Sequence, residues 1–373
     1  MKFKDFEIKN EIKHALSDLG FIKPLEVQEK VFPLIMEGKD LIVHSQTGSG
    51  KTAAFAIPLI EKIDKSINAP QVIVLTPTRE LAIQVKDEFD SIGKYNGLKS
   101  IAIYGKESMV EQKRELKSNP HVIVAAPGRL MDHLIKRNIK TDEIKCVVID
   151  EADEMLIMGF DEQITTILRK INSDFQVLLF SATISDKVEY LAGKYQKEPV
   201  RIEVESENKT LDKIEQIYYA MDPLKRVDFL KKMLKRENPR KAIVFCNTRA
   251  EVESLYAIMH KWDKGICSIH GGMDQKIRIE TLNDFKRGKH NILITTDVNA
   301  RGIHVLDITH VINYYIPFEK ENYIHRIGRT GRVGKNGIAI SFVTPRELDR
   351  FREIEKFVGY EIPLKGGYIE KKI

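Results

Sequence analysis

The sequence predicts an α/β protein of two tandem domains, each a mainly parallel sheet with helices on both faces, and three observations support this. Short β-branched runs alternate with longer segments of helical periodicity, the alternation stops and restarts once, and a chain of 373 residues suits two ordinary domains better than one.

The first set of strand-like runs is Leu41-Ile42-Val43, Val72-Ile73-Val74-Leu75, Val122-Ile123-Val124, Cys146-Val147-Val148-Ile149 and Val177-Leu178-Leu179-Phe180. Between the first two, Ala56, Leu59, Ile60 and Ile63 share a helix face directly after a glycine-rich turn. The second set runs Ile217 to Met221, Ala242 to Phe245, Gly265 to Ile269, Ile292 to Thr295, Val311 to Asn313 and Ile338 to Val343. Polar residues without an apolar stripe, from Val204 to Leu211, mark a hinge. The expected division is therefore 1–204, a linker at 205–212, a second domain at 213–362 and a flexible tail at 363–373, where the chain thins to Lys365-Gly366-Gly367-Tyr368.

Apolar residues at 42% and charged residues at 31% exclude a disordered chain. A formal charge of +6, with both signs abundant, suits a nucleic-acid partner without requiring one. Cys146, Cys246 and Cys267 lack metal-ligand spacing and read as buried thiols. With no disulfide framework, signal-like segment or bilayer-length apolar run, a reducing aqueous compartment, the cytoplasm, and no membrane partner are expected.

Two motifs carry chemistry by themselves. Ser45-Gln46-Thr47-Gly48-Ser49-Gly50-Lys51-Thr52 follows a strand and precedes a helix, the context of a phosphate-binding loop. Gly48 and Gly50 let backbone N–H groups face phosphate oxygens, Lys51 reaches the β- and γ-phosphates, and Thr52 offers its hydroxyl to Mg²⁺. Asp150-Glu151-Ala152-Asp153 leaves the C-terminal end of a buried strand, where α/β sheets hold ligands. One carboxylate there can hold Mg²⁺ while a neighbour orients or deprotonates the attacking water.

These motifs, together with Pro77-Thr78-Arg79-Glu80-Leu81-Ala82, Ser181-Ala182-Thr183 and His325-Arg326-Ile327-Gly328-Arg329-Thr330-Gly331-Arg332, resemble the DEAD-box RNA helicases over nearly the whole chain. Tyr104-Gly105-Lys106 and Asp150 through Phe160 look like the bacterial ribosomal-RNA helicases of the DbpA/YxiN type, which carry an additional C-terminal RNA-binding domain.

The resemblance implies two RecA-like domains and an ATP-dependent helicase that uses Mg²⁺ and acts on single-stranded or short duplex RNA, ribosomal RNA or a ribonucleoprotein included, as a monomer. It implies that Gln28 reads adenine, with Phe3 stacked on the base and Phe6 as the alternative stacker. It makes Asp150 a Mg²⁺ residue through water, Glu151 the general base, and Arg329 and Arg332 arginine fingers. RNA contacts are implied for Arg79, Gly105, Arg129, Gly271, Arg278, Thr296 and Arg301. Asp153, Ser181, Thr183, Asp297 and His325 are implied to couple the domains.

Four positions depart from the family pattern. Leu25 stands for the usual Thr or Ser, Ala126 for Thr, and His304 and Tyr315 each for Asp. Loss of the carboxylate at His304 is expected to weaken closure by about 1.5–3 kcal/mol, the worth of one charged hydrogen bond. An ATP-dependent RNA clamp uses the same motifs as an unwinding enzyme and is separated from it by strand displacement. A DNA translocase is disfavoured by the RNA-type motifs.

Overall fold

The computed structural model describes residues 3–45, 49–204, 214–297, 307–331 and 336–367, divided between two units, Met1–Ser206 and Glu207–Ile373. The hinge expected around 205–212 lies outside the described residues.

The first unit runs α1 (Asn10–Asp18), α2 (Glu26–Met36), β1 (Leu41–His44), α3 (Lys51–Lys62), β2 (Val72–Leu75), α4 (Arg79–Ile92), β3 (Ser100–Ile103) and α5 (Met109–Leu116). It continues with β4 (Val122–Ala125), α6 (Pro127–Ile135), β5 (Cys146–Ile149), α7 (Ala152–Ile157), α8 (Asp161–Arg169), β6 (Gln176–Ser181), α9 (Asp186–Tyr195) and β7 (Val200–Glu203). The strands pair in parallel in the order β3-β4-β2-β5-β6-β1-β7. Central strands are apolar throughout because both faces are covered, and alternate residues divide between two cores. Leu41, Val43, Val72 and Val74 join one; Ile42, Ile73 and Leu75 join the other.

The second unit runs β8 (Ile214–Ala220), α10 (Arg226–Glu237), β9 (Ala242–Cys246), α11 (Arg249–Trp262), β10 (Ile266–Ile269), α12 (Gln275–Arg287) and β11 (Ile292–Thr296). It ends with β12 (His310–Asn313), α13 (Lys320–Ile327), β13 (Gly337–Val343), α14 (Leu348–Val358) and β14 (Leu364–Gly367). Its order, β10-β11-β9-β12-β13-β8-β14, repeats that of the first sheet strand for strand. Local chemistry repeats too. Thr78 caps α4 by accepting from Leu81 N (3.3 Å), and Thr248, at the matching turn, caps α11 by accepting from Glu251 N (3.3 Å).

One expectation is corrected here. The segment expected as a tail from 363 forms β14 over Leu364–Gly367, in parallel with β8. It occupies on β8 the place that β7 holds on β1, satisfying a row of backbone groups that β8 would otherwise leave open. All three cysteines are buried and free, and burial raises their thiol pKa values. Among the described residues no helix is long and apolar enough to cross a membrane.

Candidate functional site

The phosphate loop leaves β1 at Ser45, whose N–H donates to Ser181 O on neighbouring β6 (2.9 Å). Gln46, Thr47 and Gly48 lie outside the described residues. Where the loop resumes, Ser49 Oγ is 2.5 Å from Ser45 Oγ. Gly50 caps α3 at φ +85°, and a Cβ there would stand 2.6 Å from Leu25 Cδ1 and 2.8 Å from Gln28 Nε2. Both conformation and space therefore require glycine. Lys51 opens α3 almost fully buried, its Nζ donating to Ser45 O (2.7 Å), so the ammonium is pre-set beneath the loop. Thr52 follows in the same first turn.

Two strands away, β5 delivers Asp150, 3% exposed, with its Oδ1 accepting from Glu151 N (3.0 Å). Burial pushes the Asp150 pKa up, and the Lys51 ammonium opposes the shift. Glu151 adopts the left-handed conformation at φ 52°, ψ 51°, a cost of about 1–2 kcal/mol that turns the chain from β5 into α7. From the strand between, Ser181 Oγ accepts from Asp153 N (3.2 Å) and donates to Thr183 O (2.7 Å). Thr183 donates through N and Oγ1 to Asp153 Oδ2 (3.0 and 2.9 Å). Asp153 Oδ1 is buried and has no donor among the described residues. The ends of β1, β6 and β5 thus bring a lysine, a hydroxyl and three acidic residues to one edge. Hard oxygen donors of this kind fit Mg²⁺, which takes one or two carboxylates and fills its remaining positions with water and phosphate oxygens; among the described residues no larger metal-ligating cluster exists.

Gln28 lies under the loop, its Oε1 accepting from Leu25 N (2.8 Å) and its Nε2 donating to Gly50 O (3.2 Å). One amide N–H and one oxygen lone pair remain for a base edge. Phe3 departs from expectation. It is 4% exposed, its ring stacked on Phe21 (centroids 6.1 Å) and tilted against Phe6 (5.6 Å), so it packs in the core instead of presenting an open face. Phe6 is equally buried, edge-on to Phe32.

Leu25 and Ala126 are the N-cap residues of α2 and α6, and neither supplies a side-chain acceptor. Their shared structural consequence is a missing cap. Leu25→Thr and Ala126→Thr are each expected to stabilise the first unit by about 1 kcal/mol in urea unfolding; no gain from either would show that these helix ends are satisfied by other means.

Glu88 is the residue that motif reading misses. It projects from α4 toward the phosphate site, hydrogen-bonded to the Thr52 side chain and near Asp150. Burial first, then the Asp150 charge, push its pKa up to about 7, with the Thr52 bond opposing. The signal was present in sequence as a carboxylate within the buried stripe Leu81, Val85 and Ile92. Because folding raises this pKa, the unfolded chain ionises first, and stability falls as pH rises from about 4.5 through about 7. Glu88→Gln, without metal or nucleotide, is therefore expected to stabilise the first unit by about 3 kcal/mol at pH 8 and negligibly at pH 4.5. Equal effects at both pH values would contradict the shift.

The other half of the same edge gathers the RNA candidates. Arg79 begins α4 beyond β2, Gly105 follows β3 and Arg129 sits in the first turn of α6 beyond β4, and these three strands are neighbours. Arg129 donates to Glu107 O (2.8 Å) and Gln112 Oε1 (3.0 Å). Arg79 lies close enough for Arg129 to add to the burial that lowers its pKa. At Gly105 a Cβ would meet nothing within 4 Å, leaving room for close backbone approach.

In the second unit, Gly271 and Thr296 lie at the C-terminal ends of adjacent β10 and β11, and Arg278 lies in the first turn of α12. Arg301, Arg332 and His304 lie outside the described residues. Arg329, expected as a finger, is 5% exposed with Nε donating to His325 O (3.2 Å), folded against the end of its own helix. Asp297, expected to couple the units, instead has both oxygens engaged within its own unit. Arg326 Nε donates to Oδ1 (2.5 Å) and Nη2 to Oδ2 (2.7 Å). Tyr315 also has a structural role, its ring 4.5 Å from the buried Arg226 guanidinium, which is paired with Glu347. The aromatic ring at this position thus makes a cation–π contact with Arg226.

Residues 25–191 match the DEAD/DEAH box helicase family model, and 225–334 match the helicase conserved C-terminal domain. The chain is 44% identical over 360 residues to ATP-dependent RNA helicase DbpA of Bacillus subtilis, covering 96% of this chain and 75% of that one. It is 42% identical over 354 residues to DEAD-box ATP-dependent RNA helicase CshA of the same organism, covering 95% and 72%. Among solved structures, S. cerevisiae Dbp5 bound to RNA and ADP BeF3 superposes with a TM-score of 0.89 at 30% identity, over 98% of this chain and 95% of that one. The tandem RecA-like architecture expected from sequence is the one observed.

Proposed function

Since this chain belongs to the DEAD-box family of ATP-dependent RNA helicases, we propose that RNA-stimulated hydrolysis of ATP drives closure and reopening of its two units and thereby unwinds short RNA duplexes locally. The observation that carries this reading is the convergence of Lys51, Asp150 and Glu151 at neighbouring strand ends, with the Asp153–Ser181–Thr183 linkage beside them.

Lys51 would leave the Ser45 carbonyl for the β- and γ-phosphates, and Thr52 and Asp150 would hold Mg²⁺, Asp150 through water. The ion, when bound, neutralises charge on the phosphate oxygens. Glu151 accepts the proton of the attacking water, and Gln28 reads the base. Arg329, released from His325 O, and Arg332 act on the transferring phosphoryl group when the units close. Because Arg79, Gly105 and Arg129 in one unit and Gly271, Arg278, Thr296 and Arg301 in the other would grip backbone, selectivity for RNA comes from ribose hydroxyls and shape. A strand held at both units in a bent path cannot stay in a regular duplex, so separation is local and non-processive. Phosphate release frees the strand. Ribosomal RNA is the proposed substrate class, acted on by a cytoplasmic monomer.

Steady-state ATP hydrolysis, measured without nucleic acid and with single-stranded RNA, ribosomal RNA or matched DNA, tests the reading. Stimulation by RNA alone is expected, and equal stimulation by DNA would overturn it.

A further inference from the structure

The ligand edge of the second sheet is its C-terminal one. At the opposite edge, where α10 and α11 end and β9 and β11 begin, Trp262 forms a wall shared by two depressions. One, of about 390 Å³, is bordered by Lys235, Pro239 and Asn291; the other, of about 500 Å³, by Lys231, Ile258 and Lys261. A five-residue strand, β9, separates this place from Asn247 at the ligand edge, a distance of roughly 15 Å.

The chemistry of the patch is cationic and aromatic. Lys231 and Lys235 stand one turn apart on α10, Lys261 precedes Trp262 on α11, and Lys235 Nζ lies 5.9 Å from the indole. Among the described residues none of these lysines is in an ion pair with a carboxylate. Asp263, the one acid lining either depression, already accepts from Gly265 N through Oδ1 (2.8 Å). Lysines at helix ends also complement the helix dipole, but that explains neither the half-exposed indole between them nor the concavity on two sides of it.

We propose that this face is a second contact for single-stranded RNA, with a base stacked on Trp262 and neighbouring phosphates paired with Lys231, Lys235 and Lys261. Stacking on an aromatic platform flanked by cations is how single strands are held without regard to sequence. An acidic peptide is the less suited occupant. The patch offers no free strand edge for a backbone to join, since β9 and β11 are both interior, and its apolar surface is broken by lysines. The proposal rests on the RNA-binding reading above and gives the second unit a hold on RNA beyond the ligand edge.

Trp262 is the only tryptophan in the chain, so its emission reports on this face alone. The full chain would be titrated with an oligo-uridine RNA, without nucleotide, while following tryptophan emission and, in parallel, the anisotropy of labelled RNA. Saturable quenching that weakens with salt is expected, together with an affinity loss of about tenfold in Trp262→Ala. The triple variant Lys231→Glu/Lys235→Glu/Lys261→Glu, at positions away from the sheet core, is expected to abolish quenching while leaving RNA-free ATP hydrolysis unchanged. RNA binding by anisotropy with unchanged emission and an unaffected triple variant would overturn this proposal and leave the helicase reading intact. Quenching by poly-glutamate and not by RNA would assign the face to a protein. Absence of RNA binding by anisotropy without nucleotide would overturn this proposal, and absence of binding with a non-hydrolysable ATP analogue as well would overturn the RNA-binding reading too.

Discussion

Glu151→Gln is expected to lower RNA-stimulated ATP turnover by about 10²–10⁴-fold, the usual worth of a positioned general base, while ATP and RNA still bind. The substitution keeps the shape and the left-handed backbone at φ 52°, and Gln tolerates that conformation no worse than Glu. The Asp150 carboxylate, Lys51 and the Gly50 turn are untouched, so the loss belongs to kcat rather than to KM for ATP. Asp150→Asn offers the contrast. Its carboxylate stands beside the Lys51 ammonium, and its replacement should raise the Mg²⁺ concentration needed for nucleotide binding, read by a fluorescent nucleotide with no turnover. Turnover of Glu151→Gln within about tenfold of the parent would remove Glu151 from the role of base.

The two variants also show where sequence reading reaches and where it stops. Central strands such as Val147 to Ile149 were legible because a strand covered on both faces is apolar at every position. The strands that escaped, β3, β7 and β14, are all edge strands. β3 carries half-exposed Ser100, Ile101 and Ala102; β7 exposes Arg201 and Glu203; β14 contains two glycines. Half the apolar signal is absent when one side faces water. The phosphate loop and the acidic tetrad were legible because backbone geometry and charge there depend on neighbouring residues in sequence. Glu88, by contrast, reaches the site only through the packing of α4 against α3, and Phe3 was drawn into the core by Phe21, contacts that no local pattern records. At Leu25 and Ala126 the sequence shows only a missing hydroxyl, and their structural meaning as N-caps without a side-chain acceptor appears only once helix ends are fixed.

Arg326→Met is expected to cost the second unit about 3–5 kcal/mol, the largest stability effect of any single substitution considered, because it removes one partner from a fully desolvated charge network. The guanidinium is 1% exposed, and all five of its N–H groups are used. Besides the two bonds to Asp297, Nη2 donates to Asn247 Oδ1 (2.8 Å), and Nη1 donates to Tyr315 O (2.7 Å) and Asn313 Oδ1 (3.3 Å). Phe245 lies under it at 5.1 Å. These acceptors follow or end β9, β11 and β12, so one side chain from α13 ties three strand ends of the ligand edge together. Arg326→Lys should recover only a minor part of the loss, since an ammonium cannot reproduce the planar fork toward Asp297. If the buried pair sets the cost, Asp297→Asn combined with Arg326→Met should be less destabilising than the sum of the two single changes by about 2 kcal/mol. Such a deficit in urea unfolding of the second unit would make Arg326 the structural keystone that holds Asp297 and Asn247 in place. Strict additivity would instead mean that Arg326 acts through packing against Phe245 and that the Asp297 pair contributes nothing of its own.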